Sequence, residues 1–356
     1  MIDPPAPTHR PAATHPPAPP EAPVPPSRPR LAVLGAGSWG TTFAQVLADS
    51  GAEVMLWARR EEIAREIRQE HRNSAYLPDL LLPESIRAAS RPEEALEGAD
   101  GVVIAIPAQA LRGTLAAWPA LPELPVLSLT KGIERGTDAR ISEVIAAAGG
   151  VDPARLGVLS GPNLSAEIAA RRPCASVVAA PSQDLADLFA GWCDAPYLRA
   201  YTSTDVVGVE IAGAVKNVIA IAVGAAAGLG HGHNTTASLM TRGLAEITRL
   251  GIALGGRRET FAGLAGMGDL VATCASPLSR NHRLGLALGR GLDVTAAAAE
   301  VGQTAEGVAT ARAVADLASR LGVDMPITRA VVAVVDHGAR IDEVTTALLS
   351  RSVRPE

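Results

Sequence analysis

From Arg30 onward the chain moves between two hydrophobic rhythms. Short apolar, β-prone runs (LAVLG, AEVMLWAR, DGVVIAIP, PVLSLTKG, LGVLSGP and ASVVAA) read as strands. Between them, EEIAREIRQE and ARISEVIAAAG carry their apolar side chains at helical spacing. LAVLG leads into AGSWGTTFAQVLADSG, which predicts a strand, a tight turn and a helix, and the run beginning just after Gly51 closes a βαβ unit. This interleaving predicts a doubly wound, Rossmann-like α/β domain over residues 30–204, with ligands at the carboxyl ends of its strands.

From Asp205 the rhythm changes. DVVGVEIAGAVKNVIAIAVGAAAGLG and TARAVADLASRLG are long helical patterns with no strand among them, so residues 205–350 are expected to form an all-α second domain. The first pattern is apolar enough to raise the question of a membrane span. Glu210, Lys216 and Asn217 interrupt it and leave a clean run too short to cross a bilayer, so a buried helix is expected, with no integral membrane association. Ahead of Arg30, residues 1–29 are Pro-rich without an apolar core, which predicts a disordered or polyproline-like tail and not a secretory signal.

Composition sharpens this picture in three places. The 356 residues suffice for two domains, each with its own core. A formal net charge of -5 gives no broad basic field, which disfavours a nucleic-acid or anionic-membrane partner and makes any phosphate site local. Cys174, Cys193 and Cys274 are scattered and lack CxxC spacing, so reduced thiols in a cytoplasmic protein are expected, with no metal site.

The chemistry-bearing segments fall at the ends of these elements. Gly35-Ala36-Gly37-Ser38-Trp39-Gly40 is GxGxxG between a strand and a helix, the context in which glycines admit a pyrophosphate to a helix N-terminus. The second strand ends in Arg59-Arg60 where a carboxylate would favour NAD; two guanidinium groups there suit the 2'-phosphate of NADPH, or else begin a solvated helix. Lys131, after an apolar strand, and Ser160-Gly161-Pro162-Asn163, on the next edge, are candidate ligand contacts. Lys216 and Asn217 lie in an otherwise apolar helix. A lysine buried there is either neutralised by a partner such as Glu210 or Asp269 or retained for its proton. Gly266-Met267-Gly268-Asp269 places a carboxylate in a flexible glycine context ahead of Thr273, and Ser279-Arg280-Asn281 offers a guanidinium with neighbouring donors for a phosphate monoester.

Taken in order, GAGSWGT, LTKGIE, LSGPN, EIAGAVKN, GMGDL, SRN and TAEG resemble the NAD(P)-dependent glycerol-3-phosphate dehydrogenase family of the bacterial type, over nearly all of the chain after the tail. The resemblance implies a Rossmann-like N-terminal domain, an all-α C-terminal domain of the 6-phosphogluconate dehydrogenase type, and an active site between them. The implied activity is reversible, NAD(P)H-dependent reduction of dihydroxyacetone phosphate to sn-glycerol 3-phosphate, feeding glycerophospholipid synthesis. By position, Ser38, Trp39, Arg59, Arg60, Lys131, Ser165, Arg280 and Glu306 look like cofactor contacts. Lys131, Gly161, Asn163, Asn217, Asp269, Thr273, Ser279, Arg280 and Asn281 look like substrate contacts, with Lys216 the catalytic lysine, aided by Lys131 and Asp269. Many relatives carry Ser or Thr where Asn163 stands, a difference of contact detail. Relatives are often homodimers, and the apolar helical domain offers surface for one. The nearest rivals are a sister dehydrogenase acting on a ketopantoate-like carboxylate and a nucleotide sensor without turnover.

Overall fold

The computed structural model describes residues 28–302 and 305–349, so most of the N-terminal tail and Thr304 of TAEG lie outside the described residues. Eight strands form one sheet: β1 (Arg30–Leu34), β2 (Glu53–Trp57), β3 (Ile86–Ala89), β4 (Gly101–Ile104), β5 (Val126–Ser128), β6 (Leu156–Ser160), β7 (Cys174–Ala179) and β8 (Leu198–Ser203). Their spatial order is β3-β2-β1-β4-β5-β6-β7-β8. β1 lies between β2 and β4, both parallel to it, so the chain leaves β1 in one direction and returns on its other side at β4. That reversal opens a crevice at the carboxyl ends of these two strands.

The helices of this domain are α1 (Ser38–Asp49), α2 (Glu61–Glu70), α3 (Pro92–Leu96), α4 (Ala108–Ala116), α5 (Ile141–Gly149), α6 (Ser165–Ala169) and α7 (Gln183–Trp192). Both sheet faces are covered, by two separate apolar clusters, which is why β1 and β4 read as continuous apolar runs and not as alternating ones. α2 shows how the local sequence sets an element. Ile63, Ala64 and Ile67 form its buried face, Glu61 and Glu62 sit at its positive end and Arg68 at its negative end, and His71 ends it in a left-handed turn.

Two strands and one direction depart from the sequence reading. β3 and β8 are the edge strands, and each carries charged or polar side chains (Arg87; Arg199, Tyr201 and Thr202) because one side of an edge strand meets solvent. β7 runs antiparallel to β6, so the sheet is mixed, although β8 is parallel to β7.

The second domain comprises α8 (Val206–Gly228), α9 (His233–Ala253), α10 (Arg258–Ala262), α11 (Asp269–Ala275), α12 (Arg280–Gly289), α13 (Val294–Val301), α14 (Glu306–Arg320), α15 (Pro326–His337) and α16 (Ile341–Leu349). α8 is long and apolar enough to cross a membrane, contrary to the expectation that polar residues shorten it, but 78% of its most apolar window is buried inside the bundle. It is the core helix of this domain. α12 packs on α8 almost backbone to backbone. A Cβ on Gly285 would lie 2.1 Å from the Ile221 carbonyl oxygen, and one on Gly224 would lie 2.1 Å from that of His282.

The domains are joined by more than the chain. Ile133, in the loop after β5, is fully buried in the core of the helical domain. Arg320 of α14 pairs with Asp138 of the same loop at 2.5 Å. Arg140 pairs with Glu210 of α8 at 2.7 Å, and Glu210 also accepts from the Ser142 backbone N–H at 2.8 Å and its Oγ at 2.6 Å. Glu210 is thus neutralised by the other domain, and not by Lys216.

Candidate active site

A cleft of about 450 Å³ opens at the crevice between β1 and β4. Gly35, Gly37, Ser38, Trp39 and Gly40 line one wall, Arg59 and Arg60 follow the end of β2, Lys131 follows β5, and Arg280 and Glu306 face them from the helical domain. Gly35 has a φ of +126°, and a Cβ on it would lie 2.5 Å from the Ala105 carbonyl oxygen, so glycine is required for the turn. Gly37 differs, since a Cβ there would meet nothing within 4 Å. It caps α1 without a side-chain hydrogen bond, leaving the helix N-terminus open to the cleft. This cradle suits a dinucleotide pyrophosphate, and the Trp39 indole N–H beside it is buried without a partner.

Behind Lys131 lies a cluster that ties the domains together. The Lys131 ammonium donates to the Gly161 carbonyl oxygen at 3.2 Å and to Asp269 Oδ2 at 2.7 Å. Asp269, 1% exposed, receives Lys216 on Oδ1, and Lys216 also donates to Thr273 Oγ1 at 2.8 Å. Lys216, 6% exposed, is not on the cleft wall but one ion pair behind it. Asn217 beside it is buried.

The glycine context of Asp269 is not a flexible loop. Leu264–Gly268 forms a π-helical turn that runs into α11, an irregularity common where a helix must re-aim a functional side chain. Ser279-Arg280-Asn281 likewise begins a helix. Ser279 Oγ caps α12 by accepting from the His282 N–H at 3.3 Å, and Asn281 Oδ1 accepts from the Gly307 N–H at 3.0 Å, which fixes the start of α14. Of these three residues, only Arg280 lines the cleft. Asn163 Oδ1 accepts from Ser176 Oγ at 2.6 Å while its Nδ2 is buried without a partner. Ser165 stands apart from the cleft lining, at the start of α6, where its carbonyl oxygen accepts from Thr42 at 3.4 Å.

Tyr76 is a cleft residue that no motif in the sequence marks. The Arg60 guanidinium lies over its ring, 5.8 Å from the centroid. Asn73 straps this loop to the glycine turn, donating to the Ala36 carbonyl oxygen at 3.0 Å and to Thr41 at 2.8 Å. The stretch has no periodicity and no motif to mark it.

Comparison with known proteins identifies a family for both parts of the chain. Residues 30–186 match the family model for the N-terminus of NAD-dependent glycerol-3-phosphate dehydrogenase, and residues 205–346 match that for its C-terminus. The chain belongs to this dehydrogenase family. A Corynebacterium glutamicum (strain R) protein named glycerol-3-phosphate dehydrogenase (NAD(P)+) is 55% identical over 329 residues, covering 92% of this chain and 99% of the relative. The crystal structure of glycerol-3-phosphate dehydrogenase from Coxiella burnetii superposes with a TM-score of 0.86 at 36% identity, over 92% of this chain and all of that one. A ketopantoate reductase from Ralstonia eutropha shares the fold alone, with a TM-score of 0.55 at 18% identity, over 89% of this chain and 99% of that one.

In this member of the glycerol-3-phosphate dehydrogenase family, electrostatics set the two halves of the cluster apart. Burial draws the Lys216 ammonium down to about 8; Asp269 opposes this and Lys131 adds to it. Burial alone would raise the Asp269 carboxyl, but the ammonium groups of Lys131 and Lys216 outweigh it and hold the group below the usual carboxylate range. Burial pushes the Glu306 carboxyl up against the pull of Arg280 and Lys131. Three cations (Lys131, Lys216, Arg280) against two carboxylates (Asp269, Glu306) leave one positive charge in excess, which suits an anionic substrate. Among the described residues, no group of three or more His, Cys, Asp or Glu is placed to hold a metal ion.

Proposed function

We propose that this dehydrogenase reduces dihydroxyacetone phosphate to sn-glycerol 3-phosphate, reversibly, with Lys216 as proton donor. The observation that carries the reading is a buried lysine with lowered proton affinity, oriented by Asp269 and Thr273 directly behind the lysine that faces the dinucleotide cleft. When bound, the reduced dinucleotide supplies the hydride that arrives at C2 of the substrate. Lys216 gives its proton to the carbonyl oxygen as that atom gains charge, and in the reverse direction it removes the proton from the hydroxyl. Lys131 and Asn217 orient the carbonyl. Arg280 grips the phosphate, on a helix start that Ser279 and Asn281 keep in place.

The cofactor assignment favours NADPH. No carboxylate ends β2, and Arg59 and Arg60 line the cleft in its place. Arg60 is braced on Tyr76 and only loosely paired with Glu62 at 3.6 Å, so its guanidinium is available to a 2'-phosphate. A reducing cytoplasm fits the free thiols of Cys174, Cys193 and Cys274, and there the product would supply glycerophospholipid synthesis.

The test is to follow loss of reduced nicotinamide absorbance in purified protein given dihydroxyacetone phosphate, with ketopantoate in parallel. Turnover dependent on dihydroxyacetone phosphate is expected. Silence with it, together with turnover of ketopantoate, would replace this reading with the sister dehydrogenase.

A further inference from the structure

The Asp269 carboxylate divides its two oxygens between the two domains. Oδ1 faces Lys216 and Thr273, both from the helical domain. Oδ2 faces Lys131 at 2.7 Å and the hydroxyl of Ser160, at the end of β6, at 3.4 Å, both from the dinucleotide domain. Ser160 is 3% exposed and does not line the cleft, so neither burial nor position gives it a ligand to hold. The helical domain makes room for its hydroxyl by having no side chain at Gly213 of α8. A Cβ there would lie 2.5 Å from Ser160 Oγ and at an ordinary 3.6 Å from Lys131 Cδ.

We propose that Ser160 is a positioning residue for the reaction: its hydroxyl, admitted by Gly213, holds Asp269 by Oδ2 so that Oδ1 stays aimed at Lys216. At 3.4 Å the contact is long for an O–H···O bond, and its hold on the carboxylate is weaker than that of Lys131 at 2.7 Å. Asp269 and Thr273 face Lys216 directly, Lys131 and Glu306 act on it at longer range, and the neighbouring Cys274 thiol is pushed up to about 12 by burial and stays neutral. Lys216, drawn down to about 8, and Glu306, pushed up by burial, are two groups of this cluster shifted toward neutral pH, and labelling at Lys216 itself tells them apart.

This inference rests on the proton role given to Lys216 above. The test uses full-length enzyme carrying Ser160→Ala, Gly213→Ala, or both. In Ser160→Ala, kcat should fall roughly tenfold, the size of one lost hydrogen bond in the set that orients Lys216. The KM for the dinucleotide should stay within about twofold, because no cofactor contact is touched. The basic limb of the pH profile for reduction should move downward by roughly half a unit, because a carboxylate free to turn away holds the Lys216 proton less firmly. Gly213→Ala should reproduce that shift by displacing the hydroxyl, and the double variant should be no worse than Ser160→Ala, since the clashing oxygen is then gone. A second measurement does not need turnover: the pH dependence of Lys216 acylation by an amine-reactive reagent, read by peptide mass spectrometry, should shift in the same direction. Wild-type kcat and an unmoved limb in Ser160→Ala, or additive losses in the double variant, would overturn the proposal. An inactive parent enzyme would refute the dehydrogenase reading instead, and the labelling curve would still decide the role of Ser160.

Discussion

The Glu210 carboxylate crosses the domain boundary to pair with Arg140 at 2.7 Å, and in doing so it caps the first turn of a helix that belongs to the other domain. Burial pushes the Glu210 carboxyl up, and the Arg140 charge with the Ser142 donors pulls it back. Glu210→Ala would leave Arg140 without one of its two carboxylate partners and the Ser142 N–H without its acceptor. Its cost should be about 3 kcal/mol, with Glu210→Gln costing about half of that because the amide oxygen still accepts from the Ser142 N–H. Urea midpoints of the two variants check this, and equal, small shifts would contradict it.

Lys216 sets the pH dependence. Its folded value of about 8 lies below the ordinary lysine value, so it is protonated below pH 8 and neutral above it. Reduction needs the proton, so kcat for reduction should fall as pH rises through about 8. Oxidation needs the free amine, so its kcat should rise through the same range. Lys216→Met should lower kcat roughly a thousandfold in both directions and flatten both curves, with dinucleotide binding retained. Equal loss of binding and turnover would count against the assigned role.

Arg59 and Arg60 should matter to one cofactor only. Arg60→Ala should raise the KM for NADPH roughly tenfold and leave that for NADH nearly unchanged, since a guanidinium contact to the 2'-phosphate has no counterpart in NADH. Parallel saturation curves with the two cofactors give the answer, and equal changes in both would assign Arg60 to the shared part of the dinucleotide.

Gly285→Ala tests the close packing of α12 on α8. Its methyl would lie 2.1 Å from a carbonyl oxygen of α8, so the helices must part. A loss of about 2 kcal/mol is expected from such overpacking, seen as a lower melting temperature. A raised KM for dihydroxyacetone phosphate should accompany it, because Arg280 begins the displaced helix.

The legible parts of this protein were those whose cause is local. GAGSWG declares its turn because Gly35, Gly37 and Gly40 act within one strand and one helix start. The change of rhythm at Asp205 likewise falls at the cap of α8. Edge strand β3 is hard to read because it is only four residues long with exposed Arg87 among buried neighbours, and β8 because exposed Arg199, Tyr201 and Thr202 leave its sequence mixed. The sequence suggested Asp269 as a partner for Lys216 but not its second bond to Lys131, which joins positions 138 residues apart. No pattern marked Tyr76, whose place depends on how a loop without periodicity is tied down by Asn73. Ser279 and Asn281 were noticed for their donors, yet their side chains act on helix starts, a role visible only once α12 and α14 are known to begin there.

Ile133 gives the two halves of the chain a shared fate. It belongs by sequence to the dinucleotide domain and by packing to the helical one, in the loop between β5 and α5 that also carries Lys131. Cutting the chain near Thr204 would expose an apolar side chain on one fragment and leave a hole in the core of the other. Lys131 would lose Asp269 at the same stroke, while Lys216 would keep it. Neither half is a self-sufficient module, and a graft that replaced either one would have to bring the matching socket or plug with it.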